Sequence, residues 1–451
     1  MTGMQRVFLC VLLAAGPASV PAAETEKPLT VEEAVELALE RNPEMLVVLE
    51  ELDELQGKIT EVRSSAFPQV SLQGSGVRLR DPSILNSSSF DKVPQEFRDA
   101  LVPVASNMFD VNVSVKQPIY TAGKVSTALR LARESLEEKN AAGDVVRQQL
   151  TYRVLRAFND LLLSEANLGV VEETRRQRQE HLEQARERFK NGVATEIDAL
   201  RSEVNVANME PELIRAANRV RLARAVINNL IVTDLEAETR IAGELRYRPW
   251  PVGPLGDMQA RALGIRPEME VARKQVEQAR LVASLARAEN KLSVDMDGQW
   301  GYAVRQPQNF FDNQFSRWSL MFSFKLPLFD SGRKAGLVRQ ALARQRAAER
   351  RLARLENDVR LEVKQAYDDM RSSEEAISAA ELSVAQAEKV RRMMQANYQY
   401  GAATTLDVTD SQTALVVARN SLINATYDYE MAKARLRLAS GIPILDAEVR
   451  P

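Results

Sequence analysis

Few side chains in this sequence are of the types that carry out catalysis or bind metals. His181 is the only histidine among 451 residues, and Cys10 is the only cysteine. Catalytic sets and metal sites need several such groups close together, and His181 lies in a polar helical run, residues 179–183, that predicts a solvent-exposed side chain. Gly74 and Gly76 are not followed by a helix, so they do not form a nucleotide-binding loop. We therefore expect a protein that is not an enzyme and has neither a cofactor nor a bound metal.

The charges of the chain are almost balanced. Lys and Arg together number 60, Asp and Glu together number 62, and the formal net charge is -2. Nucleic-acid binding calls for a concentrated basic patch, whereas these charges are interleaved, as in long solvated helices. We therefore expect no nucleic-acid partner.

Residues 1–23 resemble a secretory signal peptide. A weakly basic start at Arg6 is followed by an apolar run over residues 7–15 and by small residues over 20–23, the order that export and cleavage require. Cys10 lies inside the apolar run, too early for a lipoprotein cysteine, so the mature chain is predicted to contain neither cysteine nor disulfide. No later segment offers roughly 18 consecutive apolar residues, which excludes a transmembrane helix, and any insertion into a membrane would have to use β-strands.

The sequence contains an internal duplication. Three pairs of segments match: 117–124 with 326–333, 189–198 with 398–407, and 42–45 with 266–269. The first two pairs share an offset of 209 residues and the third has an offset of 224, which places 15 extra residues in the first copy. The polar stretch 81–108, longer than its counterpart 306–315, is the expected place, because insertions concentrate at loop tips. We therefore predict a first structural repeat over residues 24–246, a Pro/Gly-rich linker over 247–256 and a second repeat over 257–451.

Each repeat is predicted to contain two strands and two long helices. In the strands, apolar and polar residues alternate with a period of two, as they do from Trp318 onward. A change of phase near Gly74 and Gly76 predicts a bulge in the first strand. The predicted strands are 69–80, 109–119, 292–305 and 316–328. The predicted helices are 123–190, 195–232, 332–400 and 404–440.

Alternating strands have one apolar and one polar face, and two interpretations of them are open. They form either a soluble sheet with one wet face or a membrane β-barrel with lipid outside and a polar lumen inside. Strands of about 10 residues with terminal aromatic side chains are typical of membrane barrels. Trp300 and Trp318 are such side chains, and together with the export signal they favour the barrel.

The long helical segments contain no proline from residue 123 to 190 or from 332 to 400. At ~1.5 Å per residue each segment would be about 100 Å long, more than a globular domain requires. Apolar residues in the second segment recur at the spacings of a coiled coil. Additional alanines widen this stripe, as expected for a helix with neighbours on both sides. An ordinary coiled-coil rod would explain the helices but not the strands.

Proline, glycine and threonine mark the ends of these elements. Proline is tolerated where a strand gives way to a helix because it donates no hydrogen bond. Glycine accepts the left-handed conformation that ends a helix, and threonine can cap the helix that follows. The predicted strand-to-helix junctions lie at Pro118, Gly123, Pro327 and Gly332. The predicted helical turns contain Gly192, Thr195, Gly401 and Thr404.

On these residues, the chain resembles the outer membrane efflux protein (TolC-like) family over nearly the whole mature sequence. The most specific parts are the doubled element, Pro118 to Lys124 and Pro327 to Arg333, and the doubled turn after each long helix. The resemblance implies a mainly α-helical homotrimer in the outer-membrane lipid, with a twelve-stranded β-barrel continued by a twelve-helix α-barrel across the periplasm. It also implies a passive exit duct that works with an inner-membrane pump and a periplasmic adaptor in tripartite efflux or type I secretion.

The number of subunits can also be approached from the strands alone. Four strands per chain leave open edges, which lipid does not tolerate. Two chains would give eight strands, whose interior is filled by side chains. Three chains give twelve, the smallest multiple expected to leave a water-filled passage.

The resemblance further implies where the tunnel closes. Asp407 and Asp410 match the positions of acidic rings at the periplasmic tip, where three copies of each would favour cations. Asp198 and Tyr398 match a pair that helps to hold the closed tip, whereas Ala403 stands where the family's best-studied member has an arginine. The alternative for Asp407 is a helix-start residue stabilised by the helix dipole, and Asp198 fits that alternative equally well.

Two other functions stay open at this point. A periplasmic adaptor also contains a helical hairpin, but only one, with flanking soluble β-domains. A structural coiled-coil protein would lack the strand predicted at 316–328. A soluble monomer that needs no detergent would favour either of these over a channel.

Overall fold

The computed structural model describes residues 28–79, 92, 94–97 and 106–445. The predicted signal peptide at 1–23 lies outside these residues, as does most of the predicted loop at 81–108. The chain divides into a smaller compact unit, Met1–Leu37 with Val154–Leu245, and a larger one, Ala38–Arg153 with Arg246–Pro451.

Helices predominate in the described part of the chain. They are α1 Val31–Arg41, α2 Pro43–Ser64, α3 Lys124–Lys190, α4 Glu196–Ala207, α5 Met209–Leu230, α6 Leu255–Ile265, α7 Pro267–Ala288, α8 Arg333–Gln399 and α9 Thr405–Ala439. The strands are β1 Gln69–Leu79, β2 Ser106–Tyr120, β3 Ser293–Val304 and β4 Ser316–Lys325. Two short 3₁₀ turns, Pro307–Asn309 and Asn313–Phe315, separate β3 from β4. None of the helices described is both long enough and apolar enough to cross a lipid bilayer.

In the smaller unit, the second half of α3 runs beside the helices that return after the turn. Arg186 pairs with Glu203 of α4 at 3.4 Å, and Arg175 pairs with Glu210 of α5 at 3.7 Å. Exposed ion pairs of this kind contribute little to stability, so burial of apolar side chains carries most of the packing. The buried apolar side chains of this unit include Val154, Phe158, Leu161, Leu182, Ala185, Met209, Val220 and Ile227.

The segment predicted as one helix over 195–232 is two helices in the structure. α4 ends at Ala207 and α5 begins at Met209, with Asn208 between them. Pro211 explains the break, because it has no N–H to donate to the Ala207 carbonyl and its ring crowds that carbonyl.

The expectation of a solvent-exposed histidine is wrong. His181 is only 6 % exposed, and the adjacent Leu182 is buried as well. Glu180 and Glu183 are exposed, so the polar residues of this run occupy the outer side of α3 while His181 lies on its inner side. Burial disfavours the charged imidazolium and lowers the pKa of His181 below its ordinary value.

In the larger unit, four helices lie side by side in the order α2, α3, α7, α8. Lys139 of α3 pairs with Glu51 of α2 at 2.6 Å. Lys274 of α7 pairs with Glu134 of α3 at 3.2 Å. Helix α7 in turn packs along α8. Helices α2 and α8 are therefore the outer members of this row.

The main apolar cluster of the larger unit joins α6, α7, α8 and α9. Tyr429 of α9 is fully buried; its hydroxyl accepts from the backbone N–H of Trp250 at 2.9 Å and donates to the Arg248 carbonyl at 3.1 Å. Burial raises the pKa of Tyr429 to about 12. These bonds attach the segment before α6 to the core. The buried members of the cluster are Met258, Ala262, Met269, Val359, Val363, Ala366, Met370, Ile377, Ala380, Ala425, Tyr429, Ala432, Leu436 and Ala439.

The four strands form one antiparallel sheet in the order β1-β2-β3-β4. Val70 lies opposite Val115, and Val113 lies opposite Trp300, which in turn lies opposite Trp318. Because side chains alternate along each strand, this register puts most apolar residues of the four strands on one side of the sheet, while Val77, Met108 and Met321 lie on the other.

The bulge predicted near Gly74 and Gly76 is wrong. β1 pairs with β2 in unbroken register over residues 69–79. A Cβ at position 76 would lie 3.2 Å from the ring of Phe109, so this glycine makes room for an aromatic neighbour rather than for an extra residue.

The one register shift recorded between the strands lies near Pro118. This proline is predicted at a strand-to-helix junction, but β2 continues to Tyr120, and its pairing with β3 shifts between these two residues. A bulge accommodates proline, which has no N–H for the ladder. Pro327, by contrast, follows β4, which ends at Lys325.

Candidate functional sites: two helical turns and an amphipathic sheet

The turn between α8 and α9 is closed by hydrogen bonds from its own backbone. Gly401 has a φ of 77°, in the left-handed region that glycine adopts readily. The Ala402 N–H donates to the Asn397 carbonyl at 2.8 Å, which satisfies one of the last carbonyls of α8. Thr404 then caps α9.

Asp407 is bonded reciprocally to Thr404. The Asp407 N–H donates to the Thr404 hydroxyl oxygen at 3.3 Å, while the Asp407 carboxylate accepts from the Thr404 hydroxyl at 2.7 Å and from its N–H at 2.8 Å. This is a capping box. The bond from the hydroxyl, followed by that from the backbone, holds the pKa of Asp407 below its usual range. Its carboxylate is therefore both a helix-start group and an exposed negative charge.

The other residues predicted at this turn differ in exposure. Asp410 is exposed and lies one helical turn after Asp407, so both carboxylates point to the same side of α9. Tyr398 is 5 % exposed, and its hydroxyl oxygen accepts a long hydrogen bond of 3.5 Å from buried Thr405. Ala403 is half-buried. This turn thus presents the carboxylates of Asp407 and Asp410 to solvent, whereas Tyr398 is packed within it.

The turn between α3 and α4, in the smaller unit, is built in the same way. Gly192 has a φ of 73°, and the Val193 N–H donates to the Arg188 carbonyl at 2.9 Å. Thr195 and Asp198 form a second capping box, in which the Asp198 carboxylate accepts from the Thr195 hydroxyl at 2.7 Å. Asp198 is half-buried.

Both strand-to-helix junctions contain two consecutive residues with positive φ. They are Ala122 and Gly123 before α3, and Ser331 and Gly332 before α8. At the second junction the Asp330 carboxylate accepts from the backbone N–H groups at positions 334 and 332, at 2.8 and 3.0 Å. The bond from position 334, the largest cause, lowers the pKa of Asp330. Asp330, rather than the serine after it, supplies the side-chain bonds at this helix start.

Over most of its length the sheet has one apolar and one polar face, and the exceptions, Val77, Leu79 and Met108, lie on the polar face near the loop end of β1 and β2. The apolar face carries Val70, Leu72, Phe109, Val111, Val113, Val115, Met296, Trp300, Tyr302, Trp318, Leu320, Phe322 and Phe324. The polar face carries Gln69, Ser71, Gln73, Asp110, Asn112, Ser114, Lys116, Asp295, Asp297, Gln299, Arg317, Ser319, Ser323 and Lys325. In the single chain, Trp318 is 78 % exposed and Phe324 is 79 % exposed. A contiguous exposed apolar surface of this kind marks a contact with lipid or protein.

An ion pair on the polar face joins two strands that are not neighbours. Arg317 of β4 reaches over β3 to Asp110 of β2, which also accepts from the side-chain amide of Asn112. Gly301 of β3 lies opposite Arg317 on one side and opposite Asn112 on the other, so the Arg317 side chain crosses β3 beside a residue that has no side chain. A Cβ at position 301 would lie 2.2 Å from the Val111 carbonyl oxygen. Sequence reasoning missed this pair; its only signal was a glycine inside an alternating strand.

The comparisons with known proteins agree with these features. The sequence profile of the family described as outer membrane efflux protein matches residues 34–231 and 259–442. The chain is 26 % identical to the alkaline protease secretion protein AprF of Pseudomonas aeruginosa, over 65 % of this chain and 62 % of that protein, somewhat less than two thirds of the relative's length. It is 23 % identical to the outer membrane protein TolC of Vibrio cholerae, over 90 % of this chain and 89 % of that protein.

Solved structures show the same fold. The outer membrane protein VceC of Vibrio cholerae superimposes with a TM-score of 0.75 at 20 % identity, over 92 % of this chain and 97 % of that chain. The MtrE outer membrane channel of Neisseria gonorrhoeae, in its open state, gives a TM-score of 0.77 at 17 % identity, over 92 % and 89 % of the two chains.

A sheet with opposed apolar and polar faces, joined to helices of 67 residues, defines a TolC-like channel protein. The chain belongs to the outer membrane efflux protein family. It is an outer-membrane channel of the class that serves efflux and type I secretion, with its helices in the periplasm. Of the functions left open by the sequence, the channel is confirmed over the adaptor and the coiled-coil protein.

Proposed function

We propose that three copies of this chain close a twelve-stranded β-barrel, continued by a twelve-helix α-barrel, and that this trimer is a passive exit duct. The main support for this proposal is the arrangement of the sheet. Among the described strands, β1 and β4 each pair on one side only, and unpaired backbone groups are costly in lipid. Pairing β4 of one copy with β1 of the next removes every edge. The apolar face then contacts lipid and the polar face lines a water-filled passage.

Substrate moves through this duct without chemistry on the chain itself. The inner-membrane pump supplies energy and chooses the cargo, and a periplasmic adaptor connects the pump to the helical turns. Relatives named for protease secretion and for cation efflux support a duct that is indifferent to cargo. In this proposal the protein is not an enzyme and needs no cofactor.

The turn between α8 and α9 is the proposed constriction. Three copies of Asp407 and of Asp410 would form acidic rings that attract cations and repel anions. The low pKa of Asp407 supports this, since its carboxylate stays charged at neutral pH. Asp198 and Tyr398 are proposed to hold the closed tip, without the arginine that Ala403 replaces. Asp198 is partly buried, which is compatible with a contact between helices at the closed tip.

The organisation of the chain belongs to the same proposal. Residues 1–23 direct export and are removed. Repeats over 24–246 and 257–451, joined by the linker 247–256, each supply one strand pair and one helix of 67 residues, followed by helices that run back along it. The family profile matches one segment within each proposed repeat, which supports this division.

Conductance of the purified protein in a planar bilayer tests the duct and its constriction together. We expect a trimer by light scattering in detergent and stepwise conductance. Replacing Asp407 and Asp410 by alanine should lower the preference for cations, whereas Asp234→Ala, at an exposed carboxylate after α5, should not. A detergent-free monomer without conductance would contradict the duct. Unchanged ion preference in the double variant would contradict only the acidic rings.

A further inference from the structure

The row of helices in the larger unit has two free ends, as the sheet does. Helix α2 precedes β1 and α8 follows β4, so the outer helices of the row continue the edge strands of the sheet. In the proposed trimer, α8 of one copy must therefore lie beside α2 of the next. The inference below rests on that trimer and concerns the chemistry of this junction.

The start of α8 presents a basic surface. Between residues 339 and 354 it carries six arginines and a single acid, Glu349. Ala335, Val338 and Leu342 form an apolar strip along this helix, next to Arg346. Arg346 is exposed and forms no ion pair with any described residue. The six arginines are Arg339, Arg344, Arg346, Arg350, Arg351 and Arg354.

The free side of α2 presents an acidic surface. Residues 50–54 contain four acids and no Lys or Arg. Met45 and Val48 are buried in the larger unit, whereas Leu46 and Leu49 are about half exposed, at 47 and 57 %. Glu50 is exposed and has no ion-pair partner in the described part of the chain. Of the four acids, Glu51 pairs with Lys139 of α3, so the acidic surface on the free side consists of Glu50, Asp53 and Glu54.

The two surfaces lie at similar distances from the ends of α2 and α8 that are nearer to the sheet. At ~1.5 Å per residue, Glu50 is about 21 Å before the end of α2 at Ser64. By the same rise, Arg346 is about 20 Å after the start of α8 at Arg333. The helices run in opposite directions, α2 towards the sheet and α8 away from it. Side by side, they would bring these two charges to the same level.

The chain already contains one junction of this geometry. Helix α3 meets α7 inside each copy, and there Lys274 pairs with Glu134 and Glu137. The duplication relates Lys274 to Glu50 through the offset of 224, and Glu137 to Arg346 through the offset of 209. The ion pair inside the chain thus corresponds to Glu50 and Arg346, with the two signs exchanged.

We propose that Arg346 of one copy pairs with Glu50 of the next, so that the junction between copies repeats the internal one with reversed polarity. With both signs exchanged, the charges stay complementary at this junction, as they are at the internal one.

Cross-linking tests the pairing directly. The mature chain is predicted to lack cysteine, so Glu50→Cys with Arg346→Cys introduces the only two thiols. With a short bis-maleimide, this variant should give covalent dimers and trimers on a denaturing gel. The matched control, Glu137→Cys with Lys274→Cys, should react within one chain and stay monomeric. Light scattering of the untreated proteins reports assembly independently.

Charge exchange provides a second test that does not depend on reagent geometry. Arg346→Glu should reduce the trimer fraction by about tenfold, and adding Glu50→Arg should restore it, as expected for directly coupled residues. An intact trimer in which 50 and 346 do not cross-link between copies, or no rescue by the exchange, would overturn the pairing. A wild-type protein that does not form trimers would instead overturn the proposed duct.

Discussion

Removing the guanidinium of Arg266, the residue between α6 and α7, should destabilise the packing of these two helices against α8 and α9. Its side chain is 8 % exposed and donates to Glu362 at 2.6 Å, to Glu268 at 3.1 Å and to the Ala439 carbonyl at 3.4 Å. Arg266→Ala would leave two carboxylates facing each other without their shared cation. Breaking a buried pair in this way costs about 3–5 kcal/mol. Because Glu268 and Glu362 are 25 and 39 % exposed, we expect the lower end, about 3 kcal/mol.

Hydrogen exchange is a suitable assay because it reports local opening in the assembled protein. A loss of about 3 kcal/mol corresponds to a decrease of roughly two orders of magnitude in the protection of the α6 and α7 amides. The control is Arg280→Ala within α7, because the pair of Arg280 with Glu277 is exposed and spans 3.6 Å. Such a pair contributes about 0–1 kcal/mol. Equal protection in the Arg266 and Arg280 variants would refute the reasoning.

The first repeat offers a sharper version of this experiment. The positions equivalent to Arg266 and Glu362 are Asn42 and Arg153, and there Arg153 bonds Glu44 through both guanidinium nitrogens, one of them at 2.9 Å. We therefore expect Arg266→Asn to lose protection and Arg266→Asn with Glu362→Arg to regain most of it. If adding Glu362→Arg does not restore protection, the ion pair of Arg153 with Glu44 in the first repeat is not equivalent to the interactions of Arg266 in the second.

Two further predictions follow from the turn and from the sheet. Thr404→Ala removes the hydroxyl that lowers the pKa of Asp407, so Asp407 should become protonated at a higher pH than in the wild type. When conductance is measured at successively lower pH, this variant should therefore lose its cation preference at a higher pH. Thr404→Ser should behave as wild type. A carboxyl whose folded-state pKa is lowered contributes stability above its unfolded pKa and loses it as the pH falls through the folded value, so the helix start should show the same shift. Gly301→Ala would force a Cβ to within 2.2 Å of the Val111 carbonyl oxygen and should cost about 1–3 kcal/mol, measured as a lower thermal midpoint in detergent. Gly298→Ala, with its nearest neighbour at 3.8 Å, should leave that midpoint nearly unchanged.

Local periodicity was enough to predict the strands and the faces of the sheet. Alternation between β-branched or aromatic residues and polar ones is a property of the chain itself, and pairing in register preserves it across strands. The long helices follow from the same kind of signal, the absence of proline together with apolar spacings of three and four.

Features that depend on contacts between distant residues could not be predicted in this way. The polar sequence around His181 resembles a solvated helix, and only packing in the smaller unit buries the imidazole. Gly76 looked like a bulge because its partner, the Phe109 ring, lies on another strand. The ion pair of Arg317 and Asp110 required knowing which residue of β3 lies between them. The break before Pro211, by contrast, depends on a local residue, because proline disrupts the interior of a helix wherever it occurs.

The hydrogen bonds of the turn between α8 and α9 determine where movement at that end can originate. Gly401 and the capping box of Thr404 close this turn with its own hydrogen bonds, so in the proposed trimer we expect a change of bore to come from tilting of the intact helices. Helix α8 acts as a lever arm of about 100 Å. A tilt of about 5° near the sheet would therefore carry its far end sideways by roughly 9 Å, a distance comparable to the width of a helix.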